Sequence, residues 1–315
     1  MRVICKPGKE KLPWPRFPSM TDKMKPSPDK ATVLTGLFGY PVGHSVSPSI
    51  HNSAFSEAGL DWIYLAFSVK PEDLAAAFTG FQSLGGRGLN ITIPHKQEVM
   101  CLLDEVSEEA RLIGAVNTVS FRAGRALGYN TDGPGFIRAL SEERNFSLAG
   151  KRVCLVGAGG AGRAVAVQAA LSGIDCIAIA DLDRDRAEEL SDWINRKIGS
   201  DLSLVLQTGT REGDDLISGA DLVVDATPLG LYEDDPISFD PALLSRGTLV
   251  MDLVYNPIET PLLKMARESG INAINGLGML IHQAALAWEI WTGEPAPIEV
   301  MKKAAGATLY QPGTK

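Results

Sequence analysis

The sequence predicts an α/β protein with two domains, an N-terminal α/β domain with a mostly parallel sheet and a second α/β domain after it. Short apolar runs alternate with amphipathic stretches from Val33 onward, an order typical of parallel sheets covered by helices. The chain has 315 residues, whereas single cores stop growing at about 250 to 300 residues. A helix over about 134–143 and the polar segment SEERNFSLAG (141–150) separate two such series.

The first series predicts a βαβαβ unit followed by a hairpin. Its predicted elements are strands over 33–39, 62–67 and 88–93, helices over 49–59, 71–84 and about 95–103, and a hairpin turning at 123–125.

The second series predicts a further parallel sheet. Its predicted elements are strands over 151–157, 176–181, 203–207, 221–227 and 248–254, with helices over 160–172 and 184–197. The tail 276–293 predicts another helix, rich in small and large apolar residues. Its spacing is compatible with a place in the second domain and with a return to the first.

The composition argues against several classes of function. A formal net charge of −8 without a basic stripe speaks against nucleic acid and against an anionic membrane as the partner. The four cysteines show no zinc spacing, so we expect a reducing cytoplasm and no metal site. No apolar run reaches the roughly 18 residues that span a bilayer. Residues 1–30 contain six prolines and are expected to form a disordered extension.

The segment VCLVGAGGAGRA (153–164) predicts a turn that binds a dinucleotide. Gly157 permits a tight turn, Gly159 lets the backbone approach a pyrophosphate, and Gly162 allows close packing of helix on strand. The N-terminus of the following helix offers N–H groups to the phosphates. The alternative is a tight turn that binds nothing. The second domain is therefore predicted to be a Rossmann domain.

An acidic residue ends the second strand of this unit. Asp181 lies about 20 residues beyond the glycines, where a carboxylate accepts hydrogen bonds from ribose hydroxyls and repels a 2′-phosphate. It therefore favours NAD over NADP as the cofactor. In the alternative, Asp181 or Asp183 caps the next helix, and Arg184 or Arg186 reaches a phosphate.

Two serines precede the first predicted helix. Ser45 and Ser47 form a carboxylate site beside a helix N-terminus, or Ser47 is simply an N-cap with Pro48 after it. His44 and His51 are interpreted as structural, because no spacing supports a catalytic triad.

The segment GLNITIPHKQ (88–97) predicts a strand that ends at Pro94, with Lys96 in the first turn of a helix. Positive charge is disfavoured there, so Lys96 breaks a local rule, as functional residues often do. Asn90, Asn117 and Asp132 also fall at or beyond strand ends, where ligands bind in open α/β sheets. The alternatives are a solvated lysine and an N-cap aspartate.

Seven motifs resemble the shikimate dehydrogenase family in order and approximate spacing, over about residues 33 to 300. They are GYPVGHSVSPSIHN (39–52), NITIPHK (90–96), GAVNT (114–118), GYNTDG (128–133), VGAGGAG (156–162), DLVYNPIET (252–260) and NGLGMLIHQA (275–284). The family includes NADP-dependent enzymes acting on shikimate and relatives that accept quinate, often with NAD.

The resemblance implies a role for each matching residue. Lys96 is implied as the general acid/base and Asp132 as its partner. Ser45 and Ser47 hold the substrate carboxylate. The tail helix is implied to return to the first domain, which gives a first domain of 31–132 together with 278–315 and a second domain of 133–277. The remaining substrate-binding candidates are Asn90, Thr92, Asn117, Tyr255 and Gln283. The cofactor-binding candidates are Gly157, Ala158, Gly159, Gly160, Ala161, Asp181, Arg184, Thr227, Leu253 and Gly276.

Two motifs depart from the family pattern. Many NADP-dependent members carry Asn-Arg-Thr where this chain has Asp181-Leu182-Asp183. The usual Ser-Lys-Ser-Pro is here Ser45-Val46-Ser47-Pro48, as in relatives with a broader substrate range. These departures favour NAD and leave quinate open as a second substrate.

We therefore expect a cytoplasmic oxidoreductase, monomeric or homodimeric, that converts 3-dehydroshikimate to shikimate reversibly with NAD or NADP. One alternative is an NAD-dependent quinate dehydrogenase of quinate catabolism. A second is a ligand sensor without catalysis, which predicts loss of the Lys-Asp pair. A third is a dehydrogenase for another small carboxylate such as an aminoshikimate.

Overall fold

The computed structural model describes residues 28–232 and 234–309, in which helices cover two six-stranded sheets. The predicted N-terminal extension lies outside the described residues, except for 28–30. The helices are α1 (Ser47–Glu57), α2 (Leu74–Ser83), α3 (Glu108–Ile113), α4 (Asp132–Arg144), α5 (Gly160–Leu171), α6 (Arg184–Lys197), α7 (Arg211–Ser218), α8 (Pro261–Glu268), α9 (Leu277–Thr292) and α10 (Ile298–Leu309).

The first sheet is mixed, with strand order β2-β1-β3-β5-β6-β4. Its strands are β1 (Val33–Gly39), β2 (Trp62–Ser68), β3 (Gly88–Ile91), β4 (Glu105–Val106), β5 (Thr118–Arg122) and β6 (Arg125–Tyr129). β1 pairs in parallel with β2 and β3, and β4 with β6, whereas β5 is antiparallel to both neighbours. The predicted hairpin turns at Ala123 and Gly124, whose φ angles of +50° and +77° suit a two-residue hairpin loop.

The second sheet is parallel throughout, with strand order β12-β11-β10-β7-β8-β9. Its strands are β7 (Arg152–Val156), β8 (Cys176–Ala180), β9 (Ser203–Val205), β10 (Leu222–Asp225), β11 (Leu249–Asp252) and β12 (Asn272–Asn275). This is the doubly wound order of a Rossmann fold, in which the central β7 leads into the dinucleotide turn. Helices on both faces bury the strands, so the strands are apolar almost throughout.

The predicted helix over about 95–103 is present only in part and as a 3₁₀-helix. A 3₁₀-helix begins at Glu98 and ends at Leu102, and Lys96 lies in the turns before it. An α-helix would bond the Lys96 carbonyl to the Met100 amide, but that carbonyl accepts from the N–H of Val116, 2.8 Å away. The bond to the neighbouring strand segment replaces the helical one, so Lys96 is not held by a helix N-terminus.

Helix α9 runs from the second sheet back to the first. Its Trp291 donates from Nε1 to the carbonyl of Val119 in β5, 3.0 Å away. Ile281 and Trp288 pack in one apolar cluster with Leu37 of the first sheet. The return of this helix carries Gln283 to the region between the sheets, while the exact domain limits stay a prediction.

Candidate active site

A cleft of about 510 Å³ lies between the carboxyl ends of the two sheets. Residues from both halves of the fold line it, including Leu37 of β1, Ala161 of α5 and Met279 of α9. All the residues predicted to bind or transform the substrate lie on it, namely Ser45, Ser47, Asn90, Thr92, Lys96, Asn117, Asp132, Tyr255 and Gln283. The fold therefore gathers residues that the sequence spreads over more than two hundred positions.

Lys96 and Asp132 form an ion pair in this cleft. Lys96 Nζ lies 2.7 Å from Asp132 Oδ2, and the two side chains are 15% and 10% exposed. The other carboxylate oxygen, Oδ1, accepts from Asn117 Nδ2 at 2.8 Å. Asp132 is the first residue of α4, and its side chain does not cap that helix. The N-cap alternative for Asp132 is therefore wrong.

Asn117 is fixed by a polar network. Its Oδ1 accepts from the N–H of Thr131 at 2.8 Å and from the Thr118 hydroxyl at 3.0 Å. Its Nδ2 donates to Asp132, and Gln283 Oε1 lies 3.5 Å away. The amide orientation is thereby set, with the nitrogen facing the carboxylate.

Asn90 lies beneath this network and is almost fully engaged by the protein. Its Nδ2 donates to the Asn117 carbonyl and the Thr118 hydroxyl, at 3.1 and 3.0 Å. Its Oδ1 accepts from the Tyr64 hydroxyl at 2.8 Å. Both amide hydrogens are used, so one acceptor lone pair remains for a ligand. Asn90 therefore holds Asn117, Thr118 and Tyr64 in place, and its contact with a substrate stays a prediction.

Tyr64 was missed by the sequence analysis, because it lies in the apolar strand WIYLAF without a polar neighbour. Burial raises the pKa of its phenol, which therefore stays a neutral donor. The His51 ring stacks on Tyr64 with centroids 4.5 Å apart, and burial lowers the pKa of His51 to about 3. A neutral, buried His51 fits the structural role predicted for it, whereas His44 lines the cleft.

Ser45 and Ser47 line the cleft at the N-terminal end of α1. α1 begins at Ser47, and Ser45 Oγ accepts from the Ser47 N–H at 3.3 Å. The residue preceding the helix is Val46, whose side chain makes no cap hydrogen bond. The N-cap alternative for Ser47 is therefore wrong.

The glycine-rich turn has the geometry that a pyrophosphate needs. Gly157 has a φ of +101°, and a Cβ added to Gly162 would lie 1.8 Å from the Gly157 carbonyl oxygen. A Cβ on Gly159 would meet no atom within 4 Å, so the backbone is open there. No side chain in the described residues caps α5, which leaves its first N–H groups for an anion.

The dinucleotide turn approaches the Lys96–Asp132 pair. A Cβ on Gly160 would lie 3.7 Å from Lys96 Cδ. Of the predicted cofactor residues, Ala161, Leu253 and Gly276 line the cleft itself. The others, Gly157, Ala158, Gly159, Gly160, Asp181, Arg184 and Thr227, follow the carboxyl edge of the second sheet outside it.

Asp181 holds the dinucleotide turn from the next strand. Its Oδ2 accepts from the Ala158 N–H at 2.6 Å and its Oδ1 from the Asp183 N–H at 2.9 Å. Neither aspartate caps α6 through its side chain. Arg184 pairs with Glu188 at 2.6 Å and Arg186 pairs with Asp183 at 3.1 Å, both on the exposed surface.

Two buried aspartates behind the cofactor residues were also missed. Asp225 accepts from the Thr227 N–H at 2.8 Å, and Asp252 from the Val254 N–H at 2.9 Å. Burial raises the pKa of both carboxyls, that of Asp252 to about 7. Each carboxylate fixes the loop that follows its own strand. The loop after β10 carries Thr227, and the loop after β11 carries Leu253. The sequence does contain a signal for them, because an aspartate ends each of these two apolar strands.

The chain matches two family models, one for each end of the fold. The "shikimate dehydrogenase substrate binding domain" matches residues 37–119, and the "shikimate 5'-dehydrogenase C-terminal domain" matches residues 276–305. The shikimate dehydrogenase (NADP(+)) of Methanopyrus kandleri is 48% identical over 283 residues, covering 88% of this chain and 96% of that relative.

Solved structures share the fold over nearly its whole length. Shikimate 5-dehydrogenase from Listeria monocytogenes in complex with shikimate and NAD superposes with a TM-score of 0.83 at 36% identity, covering 90% of this chain and 99% of that one. Quinate dehydrogenase from Corynebacterium glutamicum in complex with NAD gives a TM-score of 0.81 at 38% identity, with 87% and 98% covered. Among the described helices, none has the length and apolar character to cross a membrane.

Proposed function

This chain belongs to the shikimate dehydrogenase family, and on that premise we propose that Lys96 and Asp132 form the acid–base pair of its reaction. The chain is an oxidoreductase that interconverts 3-dehydroshikimate and shikimate with a nicotinamide cofactor. The observation that carries our assignment is the ion pair of 2.7 Å in the cleft, next to the dinucleotide turn.

Lys96 moves the proton. In the oxidative direction its amine takes the proton of the substrate hydroxyl, while the carbon that bears this hydroxyl becomes a ketone. Asp132 lies 2.7 Å away and stabilises the ammonium that forms. In reduction the ammonium returns the proton to the new hydroxyl oxygen. The chemistry that a bound nicotinamide dinucleotide supplies is the acceptance and return of a hydride.

The remaining cleft residues orient the ring. Ser45 and Ser47, which line the cleft at the start of α1, offer hydroxyl donors to the substrate carboxylate. Thr92, Asn117 and Gln283 lie near Lys96 and contact the ring hydroxyls. The phenol of Tyr255 is a further donor there, and burial raises the pKa of this phenol. Placement of this kind contributes much of the rate acceleration in a hydride transfer.

We assign the cofactor preference to NAD. The Asp181 carboxylate lies at the dinucleotide turn, 2.6 Å from the Ala158 nitrogen, where it repels a 2′-phosphate. Arg184 and Arg186 are paired with acids of their own helix or its first turn. The NADP(+) named for the Methanopyrus relative argues the other way, so the assignment rests on the charge of Asp181.

Quinate is our second candidate substrate, favoured by the quinate dehydrogenase neighbour and by the small Val46 between the two serines. The ligand-sensor alternative predicts a broken Lys-Asp pair, and the observed pair speaks against it. An aminoshikimate remains a minor alternative. A cytoplasmic location, the oligomeric state and the domain limits stay predictions.

The test is the rate of NADH or NADPH formation, followed by absorbance, with shikimate and quinate, each with NAD⁺ and NADP⁺. We expect the highest kcat/KM for shikimate with NAD⁺. Preference for NADP⁺ would contradict only the role assigned to Asp181 and would leave the proposed function standing. Absence of turnover on every pair would contradict the proposed function itself.

A further inference from the structure

Helix α5 starts at the dinucleotide turn and carries a buried arginine in its first turn. Arg163 is 12% exposed, and the carboxylate nearest to it in an ion pair, on Glu189, lies 3.9 Å away and is 75% exposed. Its Nε donates instead to the carbonyl of Ile113, and its guanidinium lies over the Trp193 ring at 5.4 Å. A charge buried mainly against a carbonyl and an indole needs a reason beyond surface pairing.

The same place receives a second donor. Trp193 of α6 donates from Nε1 to the carbonyl of Leu112, 2.7 Å away. Leu112 and Ile113 end α3, whose last carbonyls have no partners within the helix. Gly114 follows with a φ of +71°, and a Cβ there would lie 3.2 Å from Arg163 Nε. Arg163 of α5 and Trp193 of α6, two helices that pack on the second sheet, thus both bond to the C-terminal end of α3, a helix of the first domain. We call this pair of hydrogen bonds the clasp.

The clasped segment leads directly to the acid–base pair. The Val116 N–H donates to the Lys96 carbonyl at 2.8 Å, and the next residue, Asn117, donates to Asp132 at 2.8 Å. Three residues therefore separate Ile113, whose carbonyl accepts from Arg163, from Asn117, whose side chain holds Asp132.

We propose that Arg163 is a positioning residue that sets the distance between the Lys96–Asp132 pair and the bound dinucleotide. This inference rests on the proposed function. The clasp on α3 makes residues 112–117 move with α5, so the proton-transfer side chains keep their place relative to the dinucleotide turn. Such placement matters, since a displacement of about 1 Å costs roughly 100-fold in rate.

The test compares Arg163→Met and Arg163→Lys with Arg196→Met, which removes an exposed arginine of α6. Shikimate carrying deuterium at the oxidised carbon gives the primary isotope effect on kcat. For Arg163→Met we expect kcat to fall about tenfold with an increased isotope effect. The Kd values of NAD⁺ alone and shikimate alone stay within about twofold. Arg163→Lys keeps the charge, so its kcat and isotope effect should lie between those of wild type and Arg163→Met. Arg196→Met should match wild type in both.

Trp193→Phe is the second variant, because it removes one donor of the clasp and keeps the ring. Trp193→Phe should shift kcat and the isotope effect in the same direction as Arg163→Met, but by less. It replaces Arg163→Met as the test if that variant does not fold. An unchanged isotope effect in the folded variants, with any loss of rate matching a loss of folded enzyme, would overturn the proposal. Wild type that fails to oxidise shikimate would instead overturn the proposed function.

Discussion

The substrate side and the dinucleotide side of the cleft are built from different kinds of contact. On the substrate side, side chains bond to side chains, as where Lys96, Asp132, Asn117 and Thr118 form one chain of contacts at 2.7 to 3.0 Å. On the dinucleotide side, carboxylates bond to backbone, as where Asp181 accepts from the Ala158 N–H at 2.6 Å.

The difference explains what each region recognises. A ring bearing hydroxyls and a carboxylate requires donors and acceptors of defined identity, which only side chains supply. A pyrophosphate requires N–H groups and room, which the backbone supplies where glycines leave it bare. Substitutions on the substrate side should therefore change kcat, whereas those on the dinucleotide side should change folding or cofactor affinity.

The largest effect is expected from Asp132→Asn. The amide keeps the shape and can still accept from Asn117, but it no longer stabilises the Lys96 ammonium, so kcat for shikimate should fall by about 100-fold or more. Steady-state kinetics measure it, and the exposed Asp73→Asn is the control. Unchanged kcat would remove the ion pair from the mechanism.

Two glycines of one motif should behave differently. In Gly162→Ala the Cβ would meet the Gly157 carbonyl oxygen at 1.8 Å, so we expect a loss of roughly 3 kcal/mol or more in unfolding free energy. In Gly159→Ala the Cβ meets open space, so Tm should hold while the KM for the dinucleotide rises about tenfold. Equal Tm values for the two variants would contradict the backbone account.

The charge of Asp181 can be separated from its hydrogen bond. Asp181→Asn keeps an acceptor for the Ala158 N–H but removes the negative charge. The ratio of kcat/KM with NAD⁺ to that with NADP⁺ should fall about tenfold. Asp183→Asn, at an exposed position two residues further along the chain, should change this ratio less. A ratio unaffected by Asp181→Asn would place the discrimination elsewhere.

The smallest effect concerns pH. Burial raises the pKa of Asp252 to about 7 from its ordinary 3.8. The folded state therefore binds a proton that the unfolded state releases, and the resulting stabilisation is present below about pH 4 and lost as the pH rises through about 7. In Asp252→Asn the amide can still accept from the Val254 N–H and donate to the Thr260 hydroxyl. It does not titrate, so this variant lacks the dependence of stability on pH that Asp252 causes.

The measurement is Tm between pH 5 and pH 8. Relative to wild type, Asp252→Asn should gain stability at pH 8 compared with pH 5. The exposed Asp192→Asn should show no such change. A parallel pH profile for Asp252→Asn and wild type would mean that Asp252 does not titrate in this range.

The sequence was sufficient for the regular parts of the fold. Helix α6 has the predicted bounds of 184–197, because its apolar residues recur at helical spacing. Five of the six strands of the second sheet were located from their apolar runs, and each is one to three residues shorter than predicted, whereas β12 was not predicted. In contrast, β4 with two residues and α3 with six are too short for a periodic pattern to appear.

The site was located from motifs, but its supports were not. Lys96 and Asp132 stood at strand ends, where ligands bind, and their pairing then followed from the resemblance. Tyr64 and Arg163 support them through contacts 26 and 50 residues away along the chain. Contacts of that separation depend on how the sheets pack, and no local pattern encodes them. The same holds for the 3₁₀-helix after Lys96, which a bond to Val116 decides.

The most direct test of the acid–base assignment is the turnover of Lys96→Ala with shikimate and NAD⁺, beside the exposed Lys264→Ala. We predict that kcat of Lys96→Ala falls by about 1000-fold or more, with Tm and the Kd of NAD⁺ close to wild type, and that Lys264→Ala keeps full activity. Turnover by Lys96→Ala near the wild-type rate would contradict the assignment.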